Sequence, residues 1–346
     1  YYIYIKKNSL MKIGKLDTTK KIFIVAEIGN NHEGNFELAK KLIKQAALAG
    51  ADAVKFQTFI PEHISSGDRN RLKKLNNFKF SYEQFEKLAK YSKSERIIFF
   101  STPFDIESAK FLNTIQPIFK ISSGDNNFYP LIDKVTSFGK PIIISTGGAD
   151  LNLIKKVYKK IEKNWSTKKL RSKLAFLHCV SAYPVPFDQA NLASIRYLKN
   201  IFPNIEIGYS DHTLGINAAL YSAFVGARII EKHFTLDKNF SKFRDHKLSA
   251  DPKDLKLLVD QVRKAESMYG IEKKIIQKCE RDINIYGRRS VAAAHNLKAG
   301  IKLSLSDFIW VRPGKGYAPG TEKKLVGRKT ARDLQFGQVI KKKDLL

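Results

Sequence analysis

Eight short apolar runs recur between Phe23 and Phe234, each followed by an amphipathic stretch, and nothing else in the chain narrows its fold so far. They read FIVAEIG, AVKFQTF, IIFFSTPF, IFKISSG, PIIISTG, LAFLHCV, IEIGYSD and ARIIEKHF. Runs this continuously apolar suit strands covered on both faces, and helix-length connections make such strands parallel. Eight units in succession predict the (β/α)8 TIM barrel of the α/β class. The connections agree: in GNFELAKKLIKQAALAGA, Phe36, Leu38, Ala39, Leu42, Ile43 and Ala46 share one face, and Gly50 stops the helix. A final helix opens on Asp251-Pro252 and closes the barrel near Gly270.

This assigns 21–270 to the barrel, 1–20 to an N-terminal extension and 271–284 to a charged linker. Residues 285–346 differ in character, with short strands and turn glycines at Gly300, Gly314, Gly316, Gly320, Gly327 and Gly337. A β-rich segment that small is marginal by itself and leans on another surface. No apolar run approaches the roughly 20 residues of a membrane span. YYIYIKKNSL lacks the apolar centre of a signal peptide, and Met11 is a candidate functional start. Two cysteines, Cys179 and Cys279, are too few for a disulfide framework and suit a reducing, cytoplasmic setting. The net charge of +29 is mostly scattered lysine, which argues against a dedicated nucleic-acid surface and reads as a lysine-biased composition with weak nonspecific polyanion binding at low salt.

In this architecture the active site lies at the C-terminal strand ends. Collected there are Glu27, Lys55, Gln57, Ser101, Thr102, Lys120, Ser123, Ser145, Thr146, His178, Ser210, Asp211, His212, Glu231 and His233. Lys55 and Lys120 sit inside apolar runs, where a lysine is rarely tolerated without a partner or a task. Two lysines with several hydroxyls and no glycine-rich nucleotide loop suit a small, multiply charged anion such as a phosphorylated carboxylate. The pair Gly147-Gly148 is too short a signal for a nucleotide. Glu27 and Glu231 are available to balance the lysines or to handle protons. Catalysis is favoured for Glu27, which adjoins the polar loop NNHEG, expected to face the same cavity. The segment 205–236 reads strand, helix, strand, and paired strands lie roughly 4.8 Å apart. His212 and His233 at their ends are therefore within reach of one divalent ion, although a spacing of 21 residues matches no ligand rule by itself.

With these residues named, the chain resembles the sialic acid synthase family, through AEIGNNHEG, VKFQT, STPF, KISSGD, ISTGG, YPVPF, SDHT, EKHFT and WVRPGKG in order. The resemblance implies a TIM barrel followed by a small C-terminal antifreeze-like (SAF) β-rich domain. It further implies condensation of phosphoenolpyruvate with an acylated aminosugar such as N-acetylmannosamine, releasing phosphate by C–O cleavage. His212 and His233 would hold a divalent metal, Mn2+ or Mg2+. Lys55, Gln57, Thr102, Lys120, Ser123, Ser145, Ser181 and Ser210 would line the substrates, with Tyr183 and Asp245 at the sugar, Glu27 as acid-base residue and Glu231 near the reacting centre. In the family the small domain covers the partner's barrel mouth, so the resemblance implies a domain-swapped homodimer in which Arg312 reaches the sugar's acyl group. No membrane and no specific nucleic acid enter this scheme. Where synthases of N-acetylneuraminate carry an asparagine before YP, this chain has Val180-Ser181-Ala182-Tyr183, closer to relatives using 6-deoxy diacetamido sugars, so legionaminate- and pseudaminate-type products are open. Two alternatives stand beside this scheme: another phosphoenolpyruvate-dependent or Schiff-base aldolase barrel, the latter through Lys55 or Lys120, and a non-catalytic carbohydrate-binding protein.

Overall fold

A computed structural model describes residues 11–14, 16–65, 67–271 and 273–346. All eight apolar runs are strands: β1 Phe23–Gly29, β2 Ala53–Thr58, β3 Ile98–Pro103, β4 Phe119–Ile121, β5 Ile142–Ser145, β6 Leu174–Cys179, β7 Glu206–Asp211 and β8 Ile229–His233. They form one parallel sheet in the order β3-β2-β1-β8-β7-β6-β5-β4, so β8 pairs with β1 and the sheet curls into a nearly closed barrel. Ladder hydrogen bonds are missing, among the described residues, only between β3 and β4. There the Ser101 N–H donates instead to Gln116 Oε1 at 2.7 Å, so the seam leaves that buried donor satisfied.

Alternation along each strand sorts side chains between two layers. Outward residues such as Ile24, Ala26, Val54, Phe56, Phe119, Ile144 and Phe176 pack under the helices. Inward residues near the strand starts, Phe23, Val25, Ala53, Phe100, Ile143, Ala175, Leu177 and Ile229, form a second apolar cluster inside the barrel. Each such fully buried large side chain contributes about 1.5–3 kcal/mol of transfer free energy. The same inward rows turn polar toward the strand ends, which is why the interior is sealed at one end and chemical at the other.

The seal includes residues read from sequence as an extension. A hairpin, Lys12–Ile13 with Leu16–Asp17, puts Met11 and Ile13 fully into the interior cluster. Thr18 Oγ1 donates to Glu206 Oε1 at 3.0 Å, and Arg228 donates to the Thr18 carbonyl, so this stretch is a barrel plug rather than an appendage. Residues 1–10 of the same expectation lie outside the described residues.

The helix Phe36–Leu48 buries Leu38, Ala39, Leu42, Ile43 and Ala46, with Asn35 capping its start through Leu38 N and Gly50 leaving at φ +85°. The closing helix, Pro252–Tyr269, is capped by Asp251. The chain divides into two compact units, through Gly270 and from Ile271 onward. The segment expected to be a linker is more structured than that: it holds a 3-10 turn at Lys278–Glu280 and a helix at Arg281–Tyr286, and it clusters with the second unit. A helix of six residues that buries none of them is too short to show a helical periodicity in the sequence. The second unit pairs β9 Ser290–Ala293 with β10 Phe308–Val311, antiparallel, over its own core of Val291, Leu303, Phe308, Leu334 and Ile340.

Candidate active site

Strand parity separates the strand-end residues collected from sequence. Inward fall Glu27, Lys55, Gln57, Thr102, Lys120, Ser145, Ser210, His212, Glu231 and His233, and all line one cavity of 820 Å³ together with Ser123, Ser181, Tyr183 and Asp245 from the loops beyond. Outward fall four others. Ser101 Oγ pairs with Thr58 Oγ1, Thr146 Oγ1 donates to the Leu177 carbonyl, and His178 Nε2 meets the Ala190 carbonyl at 2.9 Å. Asp211, the fourth, binds Lys232 Nζ at 2.9 Å, the Tyr209 hydroxyl and Thr213 N, and so fixes the loop that carries His212. These four are structural: each sits one residue out of phase with the interior.

The NNHEG loop likewise meets the cavity only in part. Asn30 lines it, donating to Gln57 Oε1 at 2.8 Å, and Gln57 Nε2 donates in turn to Glu27 Oε1 at 3.2 Å. Asn31 is spent on the Phe234 carbonyl and Ser249, His32 stacks on Phe80 at 4.2 Å, and Glu33 takes His246 Nε2 at 3.0 Å. Of the loop's polar residues, the tertiary packing thus leaves the cavity Asn30.

At the centre are four buried charges on four strands. Lys55 Nζ lies 3.0 Å from Glu27 Oε2 and 3.5 Å from Glu231 Oε1, and donates to Thr102 Oγ1 at 3.2 Å. Lys120 Nζ reaches Glu231 Oε1 at 3.3 Å, and Ser210 Oγ donates to the same oxygen at 3.0 Å. The two carboxylates are not equivalent. Burial pushes the Glu27 carboxyl up to about 7, with Lys55 pulling it back and the neighbouring Glu231 charge adding to the rise. Burial also works against the Glu231 charge, but Lys120, Lys55 and the Ser210 hydrogen bond outweigh it and hold that carboxyl well below its ordinary range. Burial lowers Lys120, whereas the two carboxylates more than offset the same penalty at Lys55. Buried ion pairs are weak devices for stability, so such a network in a cavity makes it the candidate site of chemistry.

Beyond it stand the two imidazoles, with ring centres 5.3 Å apart. His212 Nδ1 donates to the Val180 carbonyl at 2.9 Å, which leaves Nε2 as its free lone pair. Burial lowers the pKa of His212 and, more strongly, of His233, so both rings are neutral, the form that binds metal. Among the described residues no group of three or more His, Cys, Asp and Glu converges into a ready-made metal cluster. The buried orphans are nevertheless of the right kind: His233 Nδ1 and Glu231 Oε2 have no hydrogen-bond partner, nor does Ser145 Oγ. The donor set therefore fits an ion held by two imidazoles with substrate or water completing its shell.

Tyr183 packs against His212 with ring centres 4.2 Å apart, and the Arg244 guanidinium lies over the Tyr183 ring, 4.5 Å from its centre. Asp245 is held beside it by Arg244 Nε at 3.1 Å. On the opposite side, the Gly147 N–H donates to Ser123 Oγ at 3.1 Å. A Cβ at Gly147 would stand 2.2 Å from Ser181 Oγ and 2.7 Å from Ser123 Oγ, so any larger residue here would push both serine hydroxyls from their places. Arg312 belongs to the second unit, where it is exposed and donates from Nε to the Gly287 carbonyl at 2.8 Å.

Sequence reasoning named Asn30 only as part of the NNHEG loop, and it missed Cys179, Arg71, Lys74, Lys242 and Arg244 as lining residues. The first two carry a parity signal, being in phase with Glu27 or Leu177 across a bulge or along a strand. The four cations carried none, because in a chain with 62 lysines and arginines a basic residue is unremarked until the fold places it.

The NeuB family model matches residues 42–274 and the SAF domain model matches 288–346. The chain is 36% identical over 338 residues to the N,N'-diacetyllegionaminic acid synthase of Campylobacter jejuni, covering 93% of this chain and 99% of that protein. It is 38% identical over 355 residues to a pseudaminic acid synthase of the same species, covering 96% and 99%. The crystal structure of an N-acetylneuraminic acid synthetase from Leptospira borgpetersenii, in complex with citrate, superposes with a TM-score of 0.75 at 33% identity, over 80% of this chain and 95% of that one.

Proposed function

The chain belongs to the NeuB family, and from that premise we propose that it is a nonulosonic acid synthase, joining phosphoenolpyruvate to an acylated aminosugar with release of phosphate. The observation that carries the reading is the buried Lys55, Lys120, Glu27 and Glu231 network lying beside the His212 and His233 pair in one cavity.

In this reading the two ammonium groups and the hydroxyls of Thr102, Ser123, Ser145 and Ser210 hold the phosphate and carboxylate of phosphoenolpyruvate. His212 and His233 hold a divalent ion, Mn2+ or Mg2+, and when bound it supplies Lewis-acid polarisation of the sugar's open-chain aldehyde. Tyr183 and Asp245 orient the sugar. The π electrons of phosphoenolpyruvate then form the bond from C3 to the aldehyde carbon, whose oxygen takes a proton and becomes a hydroxyl. Water adds at C2 and gives its proton to Glu27, whose raised pKa suits a base near neutrality. As the C2–O bond to phosphate breaks, the new C2 hydroxyl gives its proton to the departing phosphate, and the proton on Glu27 makes good the one taken by the aldehyde oxygen, leaving the keto acid. Glu231 stays ionised between the two lysines and keeps both charged and aimed.

The second unit, with Arg312, is read by resemblance as covering the barrel mouth of a second copy, which makes the enzyme a homodimer. A reducing cytoplasm suits these substrates and the free Cys179 and Cys279. Among the described residues no helix is long and apolar enough to cross a membrane.

The test is phosphate release from phosphoenolpyruvate with Mn2+ and, in parallel, N-acetylmannosamine, its 6-phosphate and 2,4-diacetamido-6-deoxy hexoses. Release with one acceptor, stopped by chelator, supports the reading. Release from none, by folded metal-loaded protein, refutes it. Borohydride trapping of a substrate on Lys55 or Lys120 would instead place the chain among Schiff-base aldolases.

A further inference from the structure

The cavity has a second set of charges at its rim that the reaction above does not use. Arg71 and Lys74 come from the helix Arg69–Phe78, and Lys242 and Arg244 from the loop after β8. Against these four cations stands one carboxylate, Asp245, bound to Arg244 Nε at 3.1 Å and within the electrostatic reach of Lys74. Among the described residues no carboxylate pairs with the side chain of Arg71 or Lys242. The deep network is different in kind, since its two ammonium groups face two carboxylates.

Folding gives no reason for the cluster. The helix Arg69–Phe78 buries none of its residues, so its cations are not covering a core. Scattered lysine explains how many cations the chain has but not their arrangement here. Lys74 Nζ is held over the rings of Phe243 at 5.0 Å and Phe78 at 5.7 Å, which themselves meet edge to face at 5.3 Å. Arg244 lies over Tyr183, and Tyr183 over His212, so the rim joins the cavity at its histidine end. Cations braced on aromatic faces and short of counter-charges form a ready anion site, and guanidinium with ammonium suits phosphate.

We propose that this rim is a subsite for a phosphate carried by the acceptor sugar, so that the second substrate is a phosphorylated acylated aminosugar. The inference rests on the synthase reading, and it parts phosphorylated acceptors from the neutral 6-deoxy diacetamido class. Phosphoenolpyruvate occupies the Lys55 and Lys120 end; the aldehyde lies by His212 and His233; the sugar's far end meets Arg71, Lys74 and Lys242.

The experiment is titration calorimetry on the full chain with Mn2+ and saturating phosphoenolpyruvate, using the alditols of N-acetylmannosamine and of its 6-phosphate. These lack the aldehyde and cannot turn over. The phosphorylated alditol is expected to bind about tenfold or more tightly than the neutral one. The Arg71→Ala, Lys74→Ala double variant removes that preference while phosphoenolpyruvate affinity stays within about twofold, and Lys74→Arg keeps it. Both altered residues are exposed, so the fold is not at stake. Equal affinities for the two alditols overturn the proposal, as does a preference that survives the double variant or an equal loss of phosphoenolpyruvate affinity, which would make the rim a steering field for the first substrate. A preference that follows the rim, with no phosphate released from phosphoenolpyruvate and any of the acceptors named above, would uphold the subsite and refute the synthase reading.

Discussion

Glu27 and Lys55 stand directly opposite each other on β1 and β2 and meet as a buried ion pair of 3.0 Å. The pair is not balanced by two alone, because Lys55 is shared with Glu231 and the Glu27 carboxyl remains raised to about 7. The proposed proton chemistry rests on that inequality.

In the proposed mechanism Glu27 is the base for water addition and acts in its ionised form. Turnover is expected to fall about tenfold per pH unit below about 7 and to level off above it. Glu27→Gln removes this limb and lowers kcat by about 10²–10⁴. Stability carries the same signature. The folded chain keeps a proton on Glu27 that the unfolded chain has released above its ordinary 4.5, so this group's contribution is full below that value and lost as pH rises through about 7. Thermal unfolding of metal-free wild type and Glu27→Gln across this window checks it; parallel curves would count against the raised carboxyl.

The two imidazoles are expected to bind Mn2+ or Mg2+ without any third protein ligand of fixed position. Calorimetry should show one ion bound by wild type and none by His212→Ala or His233→Ala, each still folded by circular dichroism. Chelator should stop phosphate release and added Mn2+ restore it. Full turnover by either variant would end the metal assignment.

Lys232 and Asp211 are both wholly buried, 2.9 Å apart, beneath the loop that carries His212. Lys232→Met leaves the Asp211 charge unpaired and is expected to cost about 3–5 kcal/mol of stability. Pairing it with Asp211→Asn should recover part of that loss, because the stranded charge is then gone. Denaturant unfolding of the three proteins measures both effects.

Gly147→Ala tests the serine side of the cavity. Its Cβ would displace Ser181 and Ser123, whose hydroxyls stand 2.2 and 2.7 Å away. We expect about 10²-fold loss in kcat/KM for phosphoenolpyruvate with little change in melting temperature. An unchanged kcat/KM would remove Ser123 from phosphate binding.

Arg312→Ala is expected to raise the KM for the sugar while phosphoenolpyruvate affinity is kept. If the tail serves a second copy, mixing Arg312→Ala with His212→Ala subunits restores one competent site per heterodimer, and activity recovers on mixing. No recovery, with subunit exchange shown by mass, would mean that the tail acts elsewhere.

The sequence alone determined the eight strands, because double-sided burial demands apolar runs and those runs have few other uses. It also singled out Lys55, Lys120, Glu27 and Glu231, since they interrupt runs that should exclude charge, and the structure gathers all four in one cavity. Its reach ended where phase mattered. Whether His178 and Asp211 faced the cavity depended on one residue of register, and the structure turned both outward. Only the tertiary structure decided the remaining features: which carboxylate each lysine meets, that Met11 and Ile13 plug the barrel floor, and that Arg71, Lys74, Lys242 and Arg244 converge. Burial leaves a local mark in composition, one element at a time. Pair distances and a cluster drawn from a helix and a loop more than 160 residues apart depend on how elements pack, and no local pattern records that.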